Sequence, residues 1–159
     1  VNGYIITGYK ELVDDMIIST GVYTRAVNSL SNDDVRVSRR LYVPSSRLRG
    51  FESGKVGPKD GDDHVGGNYV VTFNTSSTIP YVLQTQENMD LKLFFDAGNV
   101  WGVDYSSSLD DSDTIRSSTG VALEITTPIG PLSFSFAQVL SKASTDKTES
   151  FKFQLGTTF

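Results

Sequence analysis

Apolar and polar positions alternate through most of this 159-residue chain. A period of two predicts β-strands, because successive side chains of a strand point to opposite faces. A helical period does not persist over any useful length. Seven segments read as strands, at about residues 2–11, 14–27, 68–80, 89–100, 115–127, 131–140 and 149–159. In the last, Phe151, Phe153, Leu155 and Phe159 oppose Lys152, Gln154, Gly156 and Thr158. In 131–140, Leu132, Phe134 and Phe136 oppose Ser133, Ser135 and Ala137. In 115–127, Ile115, Val121, Leu123 and Ile125 oppose Arg116, Ser118, Gly120 and Glu124. In 89–100, Leu91, Leu93 and Phe95 oppose Asp90, Lys92 and Asp96. The first two strands have an ambiguous register, and no faces are assigned there.

Turn signals separate the strands: Val13-Asp14-Asp15, Pro80, Gly130-Pro131 and the polar stretch around Asp110-Asp111-Ser112-Asp113. Short junctions alternate with longer ones, the asymmetry of an outer-membrane barrel. A soluble β-sandwich with one wet face alternates in the same way, and pattern alone separates the two only slightly. Residues 28–67 fit neither strand nor ordinary turn. A connection of forty residues inside a compact domain is functional or disordered. Leu41, Tyr42, Val43, Leu48 and Phe51 argue against disorder. Residues 34–43 read as an extra strand or an extension of the second one.

Composition narrows the function classes. No run of eighteen apolar residues exists, so there is no candidate transmembrane helix. A membrane is not excluded, since a barrel strand is about ten alternating residues with modest mean hydropathy. Net charge is −5, with a pI near 4.7, and nucleic-acid binding needs a basic field. Cysteine is absent, which removes disulfides, thiolate metal sites and thiol nucleophiles. The first residues, VNGYIITGYK, lack the features of a signal peptide, and the chain is expected to be the end of a longer protein.

No catalytic constellation stands out. His64 is the only histidine, and no serine sits in a Gly-x-Ser-x-Gly elbow. Gly50 to Gly54-Lys55 is one residue short of a phosphate loop, and Val56 stands where Ser or Thr belongs. Asp60, Asp62, Asp63 and His64, and separately Asp110, Asp111 and Asp113, lack a closing glutamate at calcium-loop spacing and read as solvated acidic loops. Neither an enzyme nor a cofactor or metal site is expected.

Six ordered stretches carry a family resemblance: Leu48-Arg49-Gly50-Phe51, Gly57-Pro58 with Val65-Gly66-Gly67-Asn68, Phe94-Phe95-Asp96-Ala97-Gly98-Asn99-Val100-Trp101, Ile115-Arg116, Pro128-Ile129-Gly130-Pro131-Leu132 with Phe134-Ser135-Phe136-Ala137, and the last strand up to Phe159. The chain resembles the C-terminal part of the BamA-type outer-membrane assembly barrels from about residue 33 onward. Pro44-Ser45-Ser46 departs from the Gly-Gly pair usual at the loop entry. The resemblance implies an all-β antiparallel meander, part of a transmembrane barrel, with a long inward-folded loop. It implies folding and insertion of β-barrel proteins by strand templating at a lateral seam. The implied partners are outer-membrane lipid, unfolded barrel clients, assembly-complex lipoproteins, and N-terminal barrel strands and soluble repeats outside this chain. A two-partner secretion or translocation-assembly pore of the same superfamily is the alternative.

Two site expectations follow. A charge at Asp96, flanked by the lipid-side Phe95 and Ala97, needs a partner or water. Arg49 is the natural one, because guanidinium grips a carboxylate through two parallel hydrogen bonds; the resemblance implies the same pairing. Gly50 would allow close backbone approach and Phe51 would pack on the inner wall. In the terminal strand, the resemblance makes Phe151, Phe153, Leu155 and Phe159 a sorting signal and seam strand; Gly156 either weakens its pairing or merely relieves crowding.

Overall fold

The computed structural model describes residues 1–13, 16–30, 34–80, 82, 88–109 and 113–156; the Asp14-Asp15 turn, the Asp110-Asp111 pair and the terminal Thr158 and Phe159 lie outside the described residues. Strands run over Asn2–Val13 (β1), Met16–Ala26 (β2), Lys59–Asp60 (β3), Asp63–His64 (β4), Tyr69–Thr78 (β5), Met89–Trp101 (β6), Arg116–Thr127 (β7), Gly130–Ser141 (β8) and Phe151–Leu155 (β9). Seven of them form one antiparallel meander in the order β1-β2-β5-β6-β7-β8-β9, with β1 and β9 as its open edges. β3 and β4 make a small hairpin inside the long connection.

The sheet has two faces with opposite chemistry. Outward, Tyr4, Ile6, Val22, Val71, Phe73, Leu93, Val121, Phe136, Phe151, Phe153 and Leu155 are exposed. Inward, Thr72, Asp96, Ser118, Ala122, Ser133 and Ser135 are buried. Register settles the faces that alternation left open in β1 and β2. Ile5 pairs with Tyr23 and Tyr23 with Thr72, so those three share the inner face, and Tyr4, Ile6 and Val22 share the outer one.

The apolar band also slides along the strands. On β5 it lies at Tyr69, Val71 and Phe73, whereas Thr75 and Ser77 stand opposite Phe95 and Leu93 of β6. On β7 to β9 it continues at Val121, Phe136 and Phe151 in the row of Leu93. A level belt crossing strands tilted by about 35–45° must drift through the register in this way. Phe134 and Phe153, and Phe136 and Phe151, meet across β8 and β9 with ring centroids 5.2 and 4.9 Å apart.

The core lies between this inner wall and the connection from β2 to β5. Val27, Val35, Leu41, Val43, Leu48, Phe51 and Val56 bury against Tyr23, Val70 and Val100, with Val139 packed alongside. Residues 34–43 do not form the extra strand expected from sequence. They make a 3₁₀ turn at Val37–Arg39 and one bridge from Leu41 to Gly67. Three of their apolar residues, Val35, Leu41 and Val43, pack into the core, while Val37 is exposed.

The outward face predicts an asymmetric response. In the folded barrel, Phe153→Arg is expected to destabilise by about 2–4 kcal/mol where the residue meets the bilayer centre, while Gln154→Ala stays within about 0.5 kcal/mol. Denaturant unfolding in lipid measures both, and equal effects would contradict the face assignment.

Candidate functional site

The loop motif is seated on the inner wall by Arg49. The peptide enters through a turn in which Arg47 N–H donates to Pro44 O at 2.9 Å. Leu48 and Phe51 then bury almost completely on either side of the motif. Arg49 Nε donates to Asp96 Oδ2 at 2.7 Å and Nη2 to Oδ1 at 2.8 Å, a bidentate grip. The Arg49 backbone N–H donates to the same Oδ2 at 3.1 Å. Sequence reasoning brought these two residues together as an expectation, and the fold places them side by side, with side-chain exposures of 4% and 0%.

Neighbouring strands complete the seat. On β5, Asn74 Nδ2 donates to Asp96 Oδ1 at 2.8 Å and to Arg47 O at 2.6 Å. On β6, the Phe94 ring lies under the guanidinium, 3.6 Å from its centre. On β7, the Ser118 hydroxyl donates to Arg49 O at 2.5 Å. Gly50, at φ +90°, crosses β8 so closely that a Cβ would stand 3.1 Å from Ala137 Cβ and 3.2 Å from Val139 Cγ2. The motif therefore touches four consecutive strands. Asn74, Phe94 and Ser118 were not singled out from sequence. Phe94 carried a signal of its own: a large ring on the face otherwise lined by Lys92 and Asp96 needs something to cover it.

Two further buried arginines tie the long connection to neighbouring loops. Arg116, at the start of β7, donates through Nε to Asp146 Oδ2 at 2.9 Å and through Nη2 to Oδ1 at 3.2 Å. Its Nη1 donates to Asn99 Oδ1 at 2.6 Å. Asp146 Oδ1 also accepts the Gly57 N–H at 2.9 Å. The second is Arg40, whose Nη2 lies 2.6 Å from Asp104 Oδ1. Asp104 Oδ2 accepts Val35 N–H at 2.8 Å and Asn68 Nδ2 at 3.0 Å. Burial acts to raise the Asp104 carboxyl pKa, but the hydrogen bonds from Val35 and Asn68 and the Arg40 charge outweigh it, and the group lies below its ordinary range.

The acidic stretch forms the β3–β4 hairpin. Tyr105 Oη donates to Asp60 Oδ2 at 2.9 Å, and His64 Nε2 lies 2.8 Å from Thr145 O. In the terminal strand, Phe151, Phe153 and Leu155 face outward. Gly156 follows at φ +82°, its N–H donating to Pro131 O at 2.8 Å.

Comparison with known proteins places this arrangement. The chain matches the Omp85 superfamily domain over residues 3–159. The outer membrane protein assembly factor BamA of Neorickettsia risticii (strain Illinois) is 28% identical over 156 residues, covering 96% of this chain and 21% of that protein. BamA of Neisseria meningitidis serogroup B is 32% identical over 139 residues, covering 70% of this chain and 17% of that protein. The crystal structure of BamA from Haemophilus ducreyi lacking POTRA domains 1–3 superposes with a TM-score of 0.86 at 29% identity, covering 95% of this chain and 33% of that one. The chain spans about a fifth of the length of these curated relatives.

Removing one partner of a buried, hydrogen-bonded ion pair costs about 3–5 kcal/mol, because the other charge is stranded. Arg49→Ala and Asp96→Ala are each expected to fall in that range. The double variant is expected to cost at least about 2 kcal/mol less than their sum, measured by a double-mutant cycle; additivity within about 0.5 kcal/mol would contradict the pairing. At Asp104, a lowered folded-state pKa contributes stability above the ordinary value of 3.8 that is lost as pH falls through the folded value. Amide exchange around Val35 and Asn68 should accelerate in that acid window, and Asp104→Asn should remove the step.

Proposed function

The chain belongs to the Omp85 superfamily, and on that premise we propose that it is the C-terminal part of a barrel that folds and inserts other β-barrel proteins into the bacterial outer membrane. The observation that carries the reading is the combination of a lipid-facing apolar belt with an inward loop held by Arg49 on Asp96. The belt places the sheet in a bilayer. The Arg49–Asp96 contact supports a lumenal loop that steadies the strands leading to β9.

The chemistry is strand exchange, with no covalent bond made or broken. β9 ends the meander with a free edge, and a free edge offers unpaired N–H and C=O groups to an incoming strand. A client strand with the same alternation pairs there in register, its apolar residues continuing the belt of Phe151, Phe153 and Leu155. In the complete barrel that edge meets the first strand, and the seam opens to admit clients while weakening the bilayer locally. N-terminal barrel strands, soluble repeats and assembly lipoproteins supply the remaining contacts.

Photo-crosslinking tests this in the complete protein. A crosslinker at Gln154, on the edge strand, is expected to capture the terminal strand of a barrel client stalled during insertion, and one at Lys92, on the lumenal wall of β6, is not. Capture at Lys92 with none at Gln154 would contradict seam templating and indicate passage of substrate through the lumen.

A further inference from the structure

The loop is tied to more than the wall. Residues 147–149, which lead directly into β9, pair with the motif loop and not with β8. Glu149 N–H donates to Gly50 O at 3.0 Å, Glu52 N–H to Lys147 O at 3.0 Å, and Lys147 N–H to Lys55 O at 3.0 Å. Phe51 and Thr148 are the bridged pair between them. Immediately afterwards the chain changes partner: Ala137 N–H donates to Ser150 O at 2.8 Å, and β9 pairs with β8 from Phe151 to Leu155. β8 itself continues to Ser141. Its upper edge, at 138–141, thus runs past the point where β9 takes up the pairing.

The alternative is geometrically continuous with β9, though it turns Lys147 and Glu149 to the face of Phe151. Continuing the β8–β9 register would set Gln138 opposite Glu149, Val139 opposite Thr148 and Leu140 opposite Lys147. The buried contacts around Asp146 oppose it. That carboxylate accepts from Arg116 of β7, from Gly57 of the long loop and, at 2.6 Å, from Ala143 N–H of its own turn. Arg116 and Asp146 have side-chain exposures of 0%. His64 Nε2, 2.8 Å from Thr145 O, adds a contact from the hairpin.

We propose that Arg116 and Asp146 are positioning residues that hold 147–149 on the inward loop and off the edge of β8, so that a seated loop sets where the terminal strand begins. The lumenal loop and the seam strand are then mechanically joined. Releasing the Arg116–Asp146 clamp lets β9 lengthen toward its N-terminal side along β8. This inference concerns pairing within the chain and holds whatever client the barrel serves.

The two pairings use different amides, which makes them separable. On the loop, the amides of Lys147 and Glu149 are bonded and, among the described residues, Thr148 N–H has no backbone acceptor. Along β8, alternation from the Ala137–Ser150 pair bonds Thr148 N–H and leaves Glu149 free. Residue-resolved hydrogen exchange on the complete barrel in lipid nanodiscs is expected to show Glu149 slow and Thr148 fast. In Asp146→Asn the two should exchange places, each rate changing at least tenfold, with Phe153 unaltered; Arg116→Lys should do the same in part. An unchanged order in both variants would overturn the proposal, as would fast exchange at both Glu149 and Thr148 with β9 intact. A crosslinking measurement in otherwise unaltered protein guards against a variant that does not fold. Disulfide formation in Glu52→Cys/Lys147→Cys is expected to be at least tenfold faster than in Gln138→Cys/Glu149→Cys, and equal rates would overturn the proposal.

Discussion

The Arg49–Asp96 pair fixes the long loop against the inner wall of the sheet. A lone carboxylate on the wall of a barrel is expensive to shield from water. A guanidinium presented in plane by a loop satisfies both of its oxygens, and Asn74 and the Arg49 backbone add two more donors. The pair is a weak source of net stability, since desolvating two charges offsets much of their attraction. What it supplies is specificity of position. A loop held by one bidentate contact, one ring under the guanidinium and one hydroxyl on its carbonyl has a single place to sit.

From that seat the organisation of the molecule follows. With Arg49 fixed, Leu48 and Phe51 bury on either side, and Gly50 lies on β8 at φ +90°, where a Cβ would be crowded by Ala137 and Val139. The apolar core is consequently formed by one sheet and its own connection. The opposite face of the sheet is free to carry an apolar belt, since it is not needed to close a core. A sandwich would have to bury Phe73, Phe136 and Phe153 against a second layer; here they form a belt that drifts with strand tilt.

Much of this was legible in the chain. The positions of the seven long strands follow from alternation, because each strand faces two different solvents and its residues record that directly. Faces in β1 and β2 were not legible, since Ile5 and Ile6 are adjacent and apolar on both sides; only pairing with β5 orients them. The Arg49–Asp96 contact was approachable from the demand of a wall charge for a partner, sharpened by family resemblance. The same demand applies to Arg116, but its partner Asp146 sits in the polar run Ser144-Thr145-Asp146-Lys147, where nothing local marks one carboxylate as buried. The start of the last strand was misplaced for a related reason. Residues 149 and 150 alternate equally well against either neighbour, so local pattern cannot name the partner, and the loop takes Glu149.

Arg49 holds the loop over a lumenal wall whose reverse side meets lipid. The chain has no cysteine, so single thiols report cleanly. The most direct measurement is the reaction of a membrane-impermeant maleimide with Ala137→Cys and Phe136→Cys in the complete barrel in lipid, each with Arg49 and with Arg49→Ala. Ala137→Cys, beneath Gly50, should be protected with Arg49 present and become reactive without it, while Phe136→Cys stays unreactive in both. Ready labelling of Phe136→Cys would contradict a lipid-facing outer side, and an Ala137→Cys rate indifferent to Arg49 would contradict the clamp.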